Sequence, residues 1–254
     1  MPVQQQTVPG APFWIDLSTS DLDRAVDFYD ALFEWRAHRE AGPQGDHADF
    51  TLDGVLVAGA MQKEADADYP DAWTPYLLTP DAAATHGRVD EAGGTNAFEA
   101  MTIPGVCVMG VATDPSGAAF GYWQPLDHPG FGVVGEPGAP AWFEVLARDY
   151  EASLAFYESA FDWTTTVESD TEEFRYRVFA SGDDQLAGIM DGGVLPPGEP
   201  SYWVVYFGVA DVDAAVASAI EHGGSVVRAA ADSPYGRSAT LADPTGAVFS
   251  VIAV

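Results

Sequence analysis

The sequence predicts an α+β fold of two tandem domains, each made of two βαβββ modules, on three observations. The stretch from Phe13 to Trp35 recurs without a gap at Ala141 to Trp163. Trp14 matches Trp142, Asp16 matches Glu144, Asp21 matches Asp149, and Phe28-Tyr29, Phe33 and Trp35 match Phe156-Tyr157, Phe161 and Trp163, each pair 128 positions apart. A strand that enters a helix is thus used twice, which marks a tandem repeat. Apolar residues alternate with period two and then switch to helical spacing at four places in the chain. Finally, residues 126–139 are rich in Pro and Gly and fit neither period, as a linker does.

The expected boundaries are an N-terminal arm (1–11), a first domain (12–125), the linker (126–139) and a second domain (140–254). In residues 12–19, Ile15 and Leu17 share one face while Trp14, Asp16 and Ser18 share the other, a strand pattern. Ser20, three residues before Asp23, is the expected start of a helix in a capping-box-like arrangement. In that helix Leu22, Ala25, Val26, Tyr29, Leu32 and Phe33 fall on one side. It should cover Ile15 and Leu17 and leave Trp14, Asp16 and Ser18 facing away. Strands follow near 34–39, 48–52 and 55–61, the last two joined by the hairpin turn Asp53-Gly54.

The pattern restarts at Trp73, with a helix over 81–92 that ends at Gly93-Gly94 and strands near 95–100, 106–113 and 118–124. Asp114-Pro-Ser-Gly117 turns between the final two. The second half repeats the plan. Leu186-Ala-Gly-Ile-Met190 answers Val57-Ala-Gly-Ala-Met61, Trp203 and Tyr206 answer Trp73 and Tyr76, Gly223-Gly224 answers Gly93-Gly94, and Asp243-Pro-Thr-Gly246 answers the first such turn.

Composition narrows the function. With 47% hydrophobic residues, 254 residues suffice for two cores, so disorder is not expected. Thirty-nine acidic against 10 basic residues leave a net charge of −29, and no Lys/Arg run interrupts it. Such a surface repels nucleic acid and anionic lipid. The single Cys107 excludes an internal disulfide framework. No signal peptide is read at the N-terminus, and no apolar run approaches the roughly 18 residues of a membrane span. A soluble, cytoplasmic protein is expected.

The strand-Asp-helix motif Asp21…Phe28-Tyr29…Phe33-Glu34-Trp35, its copy, and the two Asp-Pro-[Ser/Thr]-Gly turns resemble the vicinal oxygen chelate superfamily of glyoxalases, bleomycin-resistance proteins and extradiol dioxygenases. The resemblance covers 12–125 and 140–254 and is nearest to the two-domain actinobacterial glyoxalase-like or hydroxylase-like type. It implies a cupped mixed sheet around a small-molecule cavity in each domain. It also implies that the halves pack with approximate two-fold symmetry, as fused copies of a dimer do. Metal-dependent members place His, Gln or Glu on the first strand of each module and Glu on the last. Here those positions hold Trp14 and Trp142, Thr74 and Val204, and Gly121 and Ser250. An indole N–H only donates and glycine has no side chain, so no metal and no cofactor is expected. Of His38, His47, His86, His128 and His222, only His47, in an expected loop beside Asp46 and Asp49, is placed within reach of a cup. None forms a short-spaced pair with another ligand.

What remains is a Trp-x-acid pair on each opening strand. Trp14, Trp142, Thr74, Tyr76, Tyr206, Trp123 and Ser250 are the candidate ligand contacts, and Asp16 and Glu144 the candidate catalytic groups. One interpretation makes the tryptophans core and the carboxylates solvated or arginine-paired at the rim. The other stacks the indoles on a flat ligand whose hydroxyl or amine meets the carboxylate. Gly93-Gly94 and Gly223-Gly224 suit helix ends better than phosphate loops. Ser233-Pro-Tyr-Gly-Arg237 suits a connecting loop, although Arg237 could face an anion in the second cup. The expected function is metal-independent binding of a small, apolar, aromatic metabolite such as an antibiotic or biosynthetic intermediate. The alternatives are an enzyme of secondary metabolism (hydroxylase, isomerase or lyase) with Asp16 or Glu144 as general acid or base, and, behind it, a metal-dependent lyase or dioxygenase. A small-molecule ligand is the expected partner, and a homo-oligomer is compatible with this plan.

Overall fold

A computed structural model describes residues 8–42 and 45–254. Most of the expected arm therefore lies outside the described residues. The first half comprises β1 (Pro12–Thr19), α1 (Leu22–Phe33), β2 (Arg36–Gly42), β3 (Gly45–Leu52) and β4 (Val55–Gln62). It continues with β5 (Ala72–Leu78), α2 (Ala82–Glu91), β6 (Thr95–Asn96), β7 (Met101–Ile103), β8 (Cys107–Thr113) and β9 (Ala119–Pro125). These strands make one sheet in the order β2-β3-β4-β1-β5-β9-β8-β6, with β7 also paired to β8. β1 runs parallel to β4, β5 runs parallel to β9, and the two modules meet where β1 lies antiparallel to β5. Two curled sheets of mixed strands, one per half, give the predicted α+β architecture.

The second half repeats this with β10 (Pro140–Ala147), α3 (Tyr150–Phe161), β11 (Thr165–Asp170), β12 (Arg175–Ser181) and β13 (Asp184–Asp191). After it come β14 (Tyr202–Val209), α4 (Val212–Glu221), β15 (Ser225–Ser233), β16 (Gly236–Ala242) and β17 (Val248–Ala253). Their order is β11-β12-β13-β10-β14-β17-β16-β15. Among the described residues no helix is long and apolar enough to cross a membrane.

Each helix starts on an aspartate. The side chains of Asp21, Asp81, Asp149 and Asp211 accept from the amides of Arg24, Ala84, Ala152 and Ala214. The expected cap at Ser20 is thus one residue early, and its hydroxyl instead donates to Asp71 at 2.6 Å. Gly93 and Gly223 end α2 and α4 at φ +89° and +90°, a conformation that glycine adopts without strain. Of the strand expected over 95–100 only β6 forms, and β7 pairs with β8 beyond that range. The Asn96 side-chain amide donates to the His86 carbonyl and to Asp90 of α2, which ties β6 to that helix.

The duplicated aromatic motif joins the halves. Phe28, Tyr29 and Phe33 of α1 pack against Phe249 and Phe207 of the other sheet, and Phe156 and Tyr157 of α3 pack against Phe120 of the first. The Tyr29 hydroxyl accepts from Trp73 Nε1 at 2.8 Å and donates to Asp243 Oδ2 at 3.2 Å. In the mirror arrangement Trp203 Nε1 donates to Tyr157, while Ser153 donates to Asp114 Oδ2 at 2.8 Å. Trp35 and Trp163 each donate across the junction, to the carbonyls of Gly138 and Gly10. The helices are therefore sandwiched between the sheets, and each sheet turns its other face outward as a cup.

One apolar cluster contains residues of both halves. The protein should therefore unfold in a single calorimetric transition. Tyr29→Phe, which strands the Trp73 N–H and an Asp243 oxygen, should cost about 1–3 kcal/mol without splitting that transition. Two resolved transitions in the wild type would contradict this junction.

Candidate functional site

Strand register builds cup 1. A bulge between Pro12 and Trp14 sets the phase of β1, after which Trp14 lies opposite Tyr76, Tyr76 beside Gly121, and Gly121 opposite Val111. The next row is Asp49, Gly59, Asp16 and Thr74. A third holds Leu78, Trp123 and Met109. Trp14, Tyr76 and Trp123 are buried, whereas Asp16, Thr74 and Val111 are half-buried, so water reaches the middle of the cup.

Two residues from 126–139 complete it. His128 stands edge-on to Trp14 with ring centroids 4.4 Å apart and to Trp123 at 5.3 Å, and Phe131 lies 5.8 Å from Trp14. The sequence places His128 only in the expected linker, because its contact with Trp14 spans more than a hundred residues and leaves no local pattern. His47 is on β3 rather than in a loop. It faces Met61 at the rim, with Glu40 3.9 Å from its Nε2.

The chemistry of cup 1 centres on Asp16. Its Oδ1 accepts from Trp14 Nε1 at 3.0 Å, and no other hydrogen bond reaches the carboxylate among the described residues. Burial pushes its pKa up to about 7 against the lowering effect of the Trp14 bond, and Asp49 adds to the rise. Gly59 makes this possible, because a Cβ there would sit 2.0 Å from Asp16 Oδ1. Burial depresses His128 to about 4 and raises the neighbouring Cys107 thiol to about 12. Both are therefore neutral at pH 7. Trp123 Nε1 is sealed from solvent with no partner.

Cup 2 has the same plan and a different outcome. Glu144 lies opposite Gly188 and Val204, and Trp142 opposite Tyr206. Tyr206 donates to Glu144 Oε1 at 2.6 Å and Tyr176 to Oε2 at 3.0 Å, while Trp142 Nε1 donates to the Tyr176 hydroxyl at 2.9 Å. Burial raises the Glu144 pKa, opposed by these phenols. Gly188 gives the space to Tyr176, whose hydroxyl lies 2.1 Å from where a Cβ would be. Ser250 shares a hydrogen bond with Thr240 at 3.0 Å. Both oxygens of this carboxylate are thus occupied, whereas Asp16 keeps one free.

The donor set does not fit the metal of the wider fold. Among the described residues no three His, Cys, Asp or Glu side chains converge. At the last-strand position of cup 1, a Cβ on Gly121 would lie 2.1 Å from the Tyr76 ring, so the space for a ligating carboxylate is filled by a phenol. Arg237 does not face cup 2. It is paired with Asp213 of α4 and Asp232 at 2.8 and 3.2 Å, on a tight β15–β16 hairpin. A cleft of about 740 Å3 lies outside both cups between α1, α4 and residues 132–138. The cups carry the perturbed groups and it does not, so the cups are the candidate site.

Comparison with known proteins agrees with this architecture. Residues 12–122 and 139–251 match the model of the Glyoxalase/Bleomycin resistance protein/Dioxygenase superfamily. CFP32 of Mycobacterium bovis, a glyoxylase by name, is 37% identical over 99% of this chain and 98% of its own. The anthracycline biosynthesis protein DnrV of Streptomyces peucetius is 37% identical over 96% of this chain and 93% of its own. Among solved structures, an Mn(II)-bound glyoxalase from Novosphingobium aromaticivorans superposes with a TM-score of 0.66 at 14% identity, covering 97% of this chain and 82% of its own. At that identity only the fold is shared. With both halves matched and full-length relatives at 37% identity, the chain belongs to the glyoxalase/bleomycin resistance protein/dioxygenase superfamily.

Proposed function

We propose that the protein binds a small, flat, largely apolar metabolite in cup 1 without a metal ion, as part of secondary metabolism. The observation that carries this is the aromatic wall of Trp14, Tyr76 and Trp123 around a carboxylate with one free oxygen. Indole and phenol rings offer apolar area and stacking, and the free carboxylate oxygen takes a hydroxyl or amine. The relatives named for anthracycline biosynthesis support such a setting. Cup 2, whose carboxylate is saturated by Tyr176 and Tyr206, is the structural partner.

Planar aromatic compounds should bind with saturable heat in calorimetry, and Trp14→Ala should weaken that binding by about 1–3 kcal/mol. Trp142→Ala should not. Equal losses in both variants, or no saturable binding by the wild type, would sink this assignment.

One observation favours a second function at the same site. A carboxyl with a pKa of about 7 is matched to proton transfer at neutral pH, so Asp16 can serve as a general base toward a bound hydroxyl or activated C–H. Asp16→Asn separates the two, since a binder keeps its affinity within about 0.5–1.5 kcal/mol and an enzyme loses turnover far more than affinity.

A further inference from the structure

Six of the seven tryptophan indoles donate a hydrogen bond: Trp14, Trp35, Trp73, Trp142, Trp163 and Trp203 all find an oxygen. Trp123 does not, although it is only 4% exposed and its register turns it into cup 1. Native interiors hold few buried donors without an acceptor, and each one asks for a reason.

His128, half-buried, supplies a second donor beside it. Its Nδ1 lies 3.1 Å from the Gly130 amide, and an amide N–H can only donate. Nδ1 therefore holds the lone pair, and the proton of the neutral ring is on Nε2. Burial keeps the ring neutral at any pH well above 4. Among the described residues that Nε2–H has no hydrogen-bond partner. An N–H···π contact between the edge-on rings is a weak substitute for an oxygen.

Two rings with an unpaired N–H thus stand side by side at one end of the cup while Asp16 offers a free acceptor oxygen in the half-buried middle. The acceptor they await is uncharged, because two carboxyl groups, Asp16 and Asp49, share one row of this cup and disfavour an anionic ligand. A carbonyl oxygen has two lone pairs and can take both N–H groups at once.

We infer that the molecule taken by cup 1 is a hydroxylated aromatic ketone or quinone. Its carbonyl oxygen accepts from Trp123 Nε1 and His128 Nε2, its ring lies against Trp14 and Tyr76, and its hydroxyl donates to Asp16. The inference rests on the binding function proposed above and adds the chemical class to it.

The test uses the whole protein and two matched probes, 2-hydroxy-9-fluorenone and 2-hydroxyfluorene, which differ only in the carbonyl. With 15N-labelled protein, the Trp123 indole signal is the one missing in Trp123→Phe. The ketone should bind about ten-fold tighter, as an acceptor for the buried Trp123 donor predicts, and should move the Trp123 indole proton downfield. Trp123→Phe and His128→Phe should each weaken the ketone more than 2-hydroxyfluorene and so shrink that preference, whatever packing both probes lose in common. Equal wild-type affinities, or a stationary Trp123 signal on saturation, would overturn the carbonyl assignment while leaving the binding function intact. Failure of both probes to bind would overturn the two together. The wild-type comparison decides even where a variant does not fold.

Discussion

Gly121→Glu, the change that restores the last-strand carboxylate of metal-dependent relatives, should destabilise the protein by at least about 3 kcal/mol and create no metal centre. A Cβ at Gly121 meets the Tyr76 ring at 2.1 Å, and Tyr76 is itself fixed against Trp123 with centroids 5.3 Å apart. The new side chain must displace a buried ring and then bury a carboxylate with no cation to pair it. Trp14 and Thr74, at the other two positions, bring no ligand nitrogen or carboxylate to help. Urea denaturation measures the loss, and Tyr76→Ala in the same chain should recover part of it by opening the space. A Gly121→Glu protein as stable as the wild type would show that the Tyr76 ring does not occupy this place. Elemental analysis of the double variant should still find well below one equivalent of transition metal.

Much of this arrangement was legible in the sequence because it is local. Alternation along residues 12–19 put Trp14 and Asp16 on one face, and the structure holds them there, 3.0 Å apart through Nε1 and Oδ1. The Gly-Gly helix ends and the tandem plan are likewise carried by short windows, whereas the start of α1, read at Ser20, falls on Asp21. The role of Phe28-Tyr29 and its copy was not legible. Helical spacing says that such residues face a core, but not that the partner is Phe249 or Asp243 more than two hundred positions away. His128 was missed for the same reason, since a His in a Pro/Gly-rich stretch has no period to assign it a face. The two glycines opposite the carboxylates, Gly59 and Gly188, were a signal in plain view. A glycine repeated in mid-strand marks a close approach by another group, here Asp16 in one cup and the Tyr176 hydroxyl in the other.

Asp16→Asn should stabilise the protein at pH 8, and Glu144→Gln, the same change at the duplicated position, should destabilise it. Burial raises the Asp16 pKa from its ordinary 3.8 to about 7, so the folded state holds a proton there that the unfolded chain has released. Stability from this group therefore falls as pH rises from about 4 to about 7, and the full cost, about 4 kcal/mol by linkage, is present above pH 7. An amide removes that cost while its carbonyl oxygen still accepts from Trp14, so the gain should be up to about 4 kcal/mol at pH 8 and near zero at pH 4. Glu144 is also buried and raised, but its two oxygens accept from two phenols. An amide nitrogen accepts nothing and leaves one tyrosine hydroxyl stranded, a loss of about 1–3 kcal/mol. Urea midpoints of both variants across pH 4–8 measure the pair. Opposite signs would mean that Asp16 is held at the expense of the fold, which is what selection for ligand binding or proton transfer produces, whereas Glu144 is held for the fold itself. A destabilised Asp16→Asn at pH 8 would instead make Asp16 a structural acceptor for Trp14 and move the search for a functional carboxylate out of cup 1.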